Sequence, residues 1–105
     1  MSSTFLQDLV AEVQIPPKGT LSRVLFDGQG LRVVGFGFDV GEELTEHTSA
    51  MPVVIQVVKG RLKMGLGGDP FELGPEGWLH LPARQPHSVE ALEPTIMLLT
   101  MLRGG

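Results

Sequence analysis

The feature that most limits the fold is the regular placement of residues that break secondary structure. The 105-residue chain holds 14 glycines and 8 prolines. They punctuate it about every eight to twelve residues, the spacing of a small all-β sandwich or barrel. Between the breaks lie strand-like runs at residues 21–26, 31–40, 46–49, 53–58, 61–66, 71–73, 78–81, 87–92 and 95–102. Asp27-Gly28-Gln29-Gly30 is a strong hairpin signal. Gly67-Gly68-Asp69-Pro70 and Gly74-Pro75-Glu76-Gly77 turn the chain twice more, and Glu93-Pro94 separates the last two runs.

The start of the chain differs. Phe5, Leu6, Leu9, Val10 and Val13 fall on one helical face, Ser2, Ser3 and Thr4 offer an N-cap, and Pro16-Pro17 ends the pattern. This predicts a short amphipathic helix or arm over 4–13. The chain then divides into an N-terminal helix or arm (residues 1–19) and a β-barrel (residues 20–105). Eight or nine short antiparallel strands must bury two sheet faces or close on themselves, so the expected fold is all-β, an antiparallel jelly-roll β-barrel. The runs Val53–Val58 and Ile96–Leu102 are apolar on both sides. A strand apolar on both faces is covered on both faces. In a chain this short the second cover predicts a homodimer.

Composition removes several classes of function. Cysteine is absent, which excludes disulfides, zinc-thiolate sites, iron-sulfur clusters and a cysteine nucleophile. Twelve acidic residues outnumber eight basic ones, and the basic ones are scattered, so no nucleic-acid partner is expected. The N-terminus has no basic start followed by an apolar run, and no apolar stretch approaches membrane-spanning length. The expectation is a soluble cytoplasmic protein with no membrane partner. A G-x-S-x-G elbow and a P-loop are both missing. Ser49 near His47 is no triad, because nothing in the sequence orients the pair.

The chemistry concentrates in two segments that hold all three histidines. The first begins at Gly41, passes His47, Ser49 and Val53, and closes at Gly60; the second holds His80, Pro82, Arg84, His87 and Ala91. Together they resemble the paired motifs of the cupin superfamily, G-x5-H-x-H-x3/4-E-x6-G followed by P-x-G-x2-H-x3-N. Gly41, His47, Gly60, Pro82 and His87 match. Ser49 stands where the family has its second histidine, Val53 where it has the ligand glutamate, Arg84 where it has glycine and Ala91 where it has asparagine. The resemblance covers about residues 20 to 102. It implies the cupin-type jelly roll, dimerisation through sheet faces, and a divalent metal bound by His47 and His87 inside the barrel.

Two ligands hold a metal weakly, since three or four protein ligands are the norm. His80 lies on the strand before His87. If Trp78 and His80 point into the barrel, His80 completes a three-histidine site; if Leu79 and Leu81 point inward, it faces the other side. Ser49 is a poor metal ligand but a pocket candidate. Arg84, in the turn between Pro82 and His87, is placed to clamp a substrate carboxylate, or to sit at the surface paired with Glu76 or Glu90. Gln56 is one residue off the Val53, Ile55, Val57 alternation and should face away from the barrel. Phe36 and Phe38 alternate with Gly35 and Gly37, giving one aromatic face and one of bare backbone.

Two functional readings follow. One is a barrel that binds a small-molecule ligand, with His47, Ser49, Arg84 and His87 lining the pocket and a weakly held metal (zinc, manganese, nickel or iron) on His47, His87 and His80. The other is a metal-dependent cupin enzyme, dioxygenase-like or isomerase-like, whose substrate the sequence does not name.

Overall fold

The computed structural model describes residues 2–104; Met1 and Gly105, assigned above to the arm and the barrel, lie outside the described residues. Among the described residues, nine strands follow one helical turn, α1 (Leu9–Glu12): β1 (Thr20–Asp27), β2 (Leu31–Phe38), β3 (Glu43–His47), β4 (Val53–Lys59), β5 (Leu62–Gly65), β6 (Phe71–Leu73), β7 (Trp78–Leu81), β8 (His87–Ala91) and β9 (Thr95–Leu102). They form a five-stranded sheet ordered β1-β2-β9-β4-β7 and a four-stranded sheet ordered β3-β8-β5-β6, all pairings antiparallel. The two sheets face each other as a jelly roll. No helix among the described residues is long and apolar enough to cross a membrane.

Strand alternation sorts each sheet into an inner and an outer face. Phe38, Val53, Ile55, Val57, Leu81 and Met97 from the larger sheet meet Leu62, Met64, Val89 and Ala91 from the smaller one in a single buried core. Phe36 and Phe38 stack with ring centroids 5.8 Å apart, so the aromatic face of β2 is core. Truncating fully buried Phe38 would remove about 3–5 kcal/mol.

The bare face of β2 is covered by the chain's own N-terminal arm. A Cβ on Gly37 would overlap the Gln14 carbonyl, and one on Gly35 would meet Val13 Cγ2 at 2.5 Å. The arm therefore lies directly on the backbone, which only glycine permits. It is anchored by Arg23, whose Nη1 donates to the Glu12 carbonyl at 2.8 Å and pairs with its carboxylate at 3.2 Å.

This placement corrects the expected helix over 4–13. Only Leu9–Glu12 is helical, and Asp8 caps it by accepting from the Val10 N–H at 3.1 Å, in place of Ser2, Ser3 or Thr4. Val13 is extended and buried. An isolated turn of helix has little stability of its own, and seating Val13 to Ile15 over the glycines requires an extended chain.

The arm also accounts for part of the second apolar face. Ile96 and Leu98 are the cross-strand neighbours of Gly37 and Gly35 and are 2% and 7% exposed within one chain. The outer face of β4 and β7 stays open, with Gln56 and His80 exposed and Trp78 59% exposed.

A second difference concerns β3, which begins at Glu43, three residues before the expected run. The positive φ of Gly41 (85°) turns the chain, and Glu43 then pairs with Glu90.

Candidate functional site

His47 and His87 end their strands at the same level, β3 and β8 pairing them as direct cross-strand partners. A bulge between Leu44 and His47 sets this register. The ring centroids are 4.2 Å apart and the planes are inclined by 59°. His87 continues the inward alternation of Ala91 and Val89 and is 4% exposed, while His47 is exposed at the rim. The pair thus sits at an open end of the jelly roll.

Each ring is held by the backbone carbonyl two residues before it. His47 Nδ1 lies 2.7 Å from the Thr45 carbonyl oxygen, and His87 Nδ1 lies 2.8 Å from that of Gln85. A carbonyl only accepts, so both Nδ1 atoms carry the proton and donate. In the neutral ring Nε2 then holds the free lone pair. This is the orientation in which backbone carbonyls hold metal-ligating histidines.

The larger sheet supplies the opposite wall. β7 ends at Leu81 and the following turn leads into His87, so both flank the same end of the barrel. In register with Leu81 run Val53, Met101 and Arg32, one from each successive strand. Val53, at the position of the family's ligand glutamate, is 1% exposed. No group of three or more His, Cys, Asp or Glu side chains among the described residues is placed to share a metal. Two imidazoles are the most metal-ligating side chains that the described residues bring together here, so a metal held by them would take its remaining ligands from water or from a bound molecule.

His80 is not part of this site, which corrects its inclusion among the candidate ligands. Leu81 is buried and Leu79 packs on the core, while His80, opposite Val54, and Trp78, opposite Gln56, are exposed on the outer face. The two leucines take the inner positions because the strand can bury only one of its faces in the core.

Ser49 and Arg84 meet through the backbone. The Arg84 N–H donates to the Ser49 carbonyl at 2.7 Å, linking the loop before β4 to the turn before β8. Ser49 Oγ accepts from the Met51 N–H at 3.3 Å. Arg84 is exposed, has a positive φ of 65°, and joins none of the ion pairs among the described residues, so neither Glu76 nor Glu90 is its partner.

Sequence reasoning missed Arg32. It shares the inward alternation of Val34, Phe36 and Phe38 and pairs with Met101, which packs on the core. Its Nε is buried without a hydrogen-bond partner among the described residues. An orphaned buried donor costs about 1–3 kcal/mol. Counting back by twos from Phe38 was the signal that could have found it.

Comparison with known proteins places the fold. No protein-family model matches the chain, and no curated protein matches it significantly. Solved structures do. A conserved protein of unknown function from Streptococcus pyogenes superposes with a TM-score of 0.86 at 26% identity, over 100% of this chain and 92% of that one. A cupin superfamily protein from Desulfitobacterium hafniense gives 0.87 at 19% identity, over 99% and 95%. A cupin 2 conserved barrel domain protein from Leptotrichia buccalis gives 0.82 at 27% identity, over 90% of this chain and 46% of that one.

Proposed function

Since the chain is a small cupin domain with degenerate motifs, we propose that it binds a small molecule in the barrel mouth, with a weakly held divalent metal on His47 and His87. The observation that carries this reading is the pair of anchored imidazoles, 4.2 Å between centroids, each with its Nδ1–H held by a backbone carbonyl. Such a pair has its lone pairs ready before any ligand arrives, which lowers the cost of ordering the site.

The metal, when bound, supplies Lewis-acid polarisation of an oxygen donor on the ligand. The chain's own residues do the rest. His47 and His87 hold two positions, and Val53, Leu81 and Met101 keep the inner wall apolar and exclude water. Zinc, manganese, nickel or iron(II) all suit two imidazoles with open positions.

The second reading, a metal-dependent enzyme, draws on one neighbour. A putative mannose-6-phosphate isomerase from Ralstonia eutropha shares the fold at a TM-score of 0.81 and 24% identity. The missing third and fourth ligands favour binding over efficient catalysis. The proposal also includes a homodimer through the open outer face bearing Gln56, Trp78 and His80; sedimentation at micromolar concentration should give twice the chain mass, and a monomer would contradict it.

The test of the site is elemental analysis of protein prepared without an affinity tag, with thermal melts before and after adding each ion. A ligand that binds only the folded state raises the melting temperature by mass action. A metal-free protein whose melt none of the four ions shifts would remove the metal from the account and leave ligand binding by shape and hydrogen bonding.

A further inference from the structure

We infer that Arg32 is an anion-binding residue of the barrel mouth, and that the ligand taken there is a small carboxylate. The inference rests on the reading of the mouth as a ligand site and names the class of molecule it receives.

Arg32 stands at the inner, mouth end of β2, in the row it shares with Met101, Val53 and Leu81. Its positive charge is unanswered among the described residues. The ion pairs there join Arg23 to Glu12, Arg61 to Glu72 and Arg103 to Asp27. Asp27 is the register partner of Arg32 across the β1–β2 hairpin and is the nearest acid by strand pairing. Its carboxylate is taken by Arg103 Nη2 at 2.6 Å. The buried Nε of Arg32 has no acceptor.

An inward guanidinium with an orphaned Nε–H is suited to an incoming planar anion. Nε and one terminal nitrogen form a parallel pair of donors along one edge of the guanidinium, and the two oxygens of a carboxylate match that edge. Beside it, Met101, the cross-strand neighbour of Arg32 and only partly buried, offers apolar contact to the body of the molecule. The chemistry recognised is therefore a carboxylate on a short, partly apolar body.

Nitrogen–proton correlation spectra of the arginine side chains test this directly. The chain has five arginines, and an Arg32→Lys variant assigns the Arg32 Nε–H signal. Sodium acetate is titrated into wild-type, metal-free protein, against acetamide, sodium chloride and sodium phosphate. Acetate is small enough to enter any pocket that takes a carboxylate. The expected result is a saturable shift of the Arg32 signal with acetate, larger than that of exposed Arg84, and none with acetamide or chloride. A shift no larger than that of Arg84, or equal with chloride, overturns the proposal. Saturable binding of phosphate without acetate overturns the carboxylate assignment.

Repeating the titration with zinc separates this inference from the metal reading. Arg32→Met should lose the melting-temperature rise caused by acetate and keep the rise caused by zinc. Failure of the zinc response alone, with the Arg32 shift intact, would count against the metal and not against the anion site.

Discussion

His47 and His87 face each other across the β3–β8 ladder with ring centroids 4.2 Å apart, each ring tied through Nδ1 to the carbonyl of the residue two before it. In the proposed metal site, removing either imidazole would leave one protein ligand. His47→Ala and His87→Ala should each abolish the metal-dependent rise in melting temperature. His80→Ala should leave it unchanged, because His80 lies on the outer face. Melts of the three variants with and without zinc check all of this; loss of the rise in His80→Ala would contradict the placement of β7.

Val53→Glu should have opposite effects in the two states. Val53 is 1% exposed, and an unpaired carboxylate there carries a desolvation penalty of several kcal/mol. The metal-free variant should melt below wild type. Zinc should then raise its melting temperature by more than it raises that of wild type, because the new carboxylate supplies an anionic ligand. Equal zinc shifts in the two proteins would show that position 53 does not look onto the histidine pair.

The close approach of the arm to β2 predicts a contrast between two glycines. Gly37→Ala pushes a methyl group into the Gln14 carbonyl, whereas nothing lies within 4 Å of a Cβ on Gly30. Overpacking of this kind costs about 1–3 kcal/mol. Chemical denaturation should show Gly37→Ala destabilised by that order and Gly30→Ala close to wild type.

Asp39 makes stability depend on acid. Its carboxylate accepts from the backbone N–H of Lys18 at 2.7 Å and of Val40 at 2.8 Å. The Lys18 bond first, and the Val40 bond second, hold its pKa below the usual 3.8. A folded-state value below the unfolded one means that the contribution is present above the unfolded pKa and is lost as pH falls through the folded one. Asp39→Ala should therefore lower the melting temperature at neutral pH, and the gap from wild type should narrow toward pH ~3. A constant gap across that range would contradict the assignment.

Most strands were legible because glycine and proline mark their ends; Phe71–Leu73, Trp78–Leu81 and Thr95–Leu102 begin and end where the sequence pattern puts them. The N-terminal segment was less so. Its helical spacing is real, but two glycines on a distant strand decide that Val13 to Ile15 run extended, and no local pattern carries that contact. At the site, His47 and His87 were named through the resemblance to the cupin motifs, and the sequence left the face of His80 open until Leu79 and Leu81 were seen to take the core side of β7. The bond between the Arg84 N–H and the Ser49 carbonyl joins two loops through main-chain atoms, which side-chain identity does not encode. Arg32 was passed over because a charged residue at a strand's start reads as solvated, although its parity with Phe36 and Phe38 puts it inside.

The proposed metal site requires that His47 and His87 present two free Nε2 lone pairs to one ion. Long-range nitrogen–proton spectra of the histidine rings, recorded during a zinc titration of metal-free protein at mildly alkaline pH, read those atoms directly. Both rings should start with the proton on Nδ1, and both Nε2 signals should move together, reaching their end point at one zinc per chain. Rings protonated on Nε2 at the outset, or Nε2 signals that stay still as zinc is added, would contradict it.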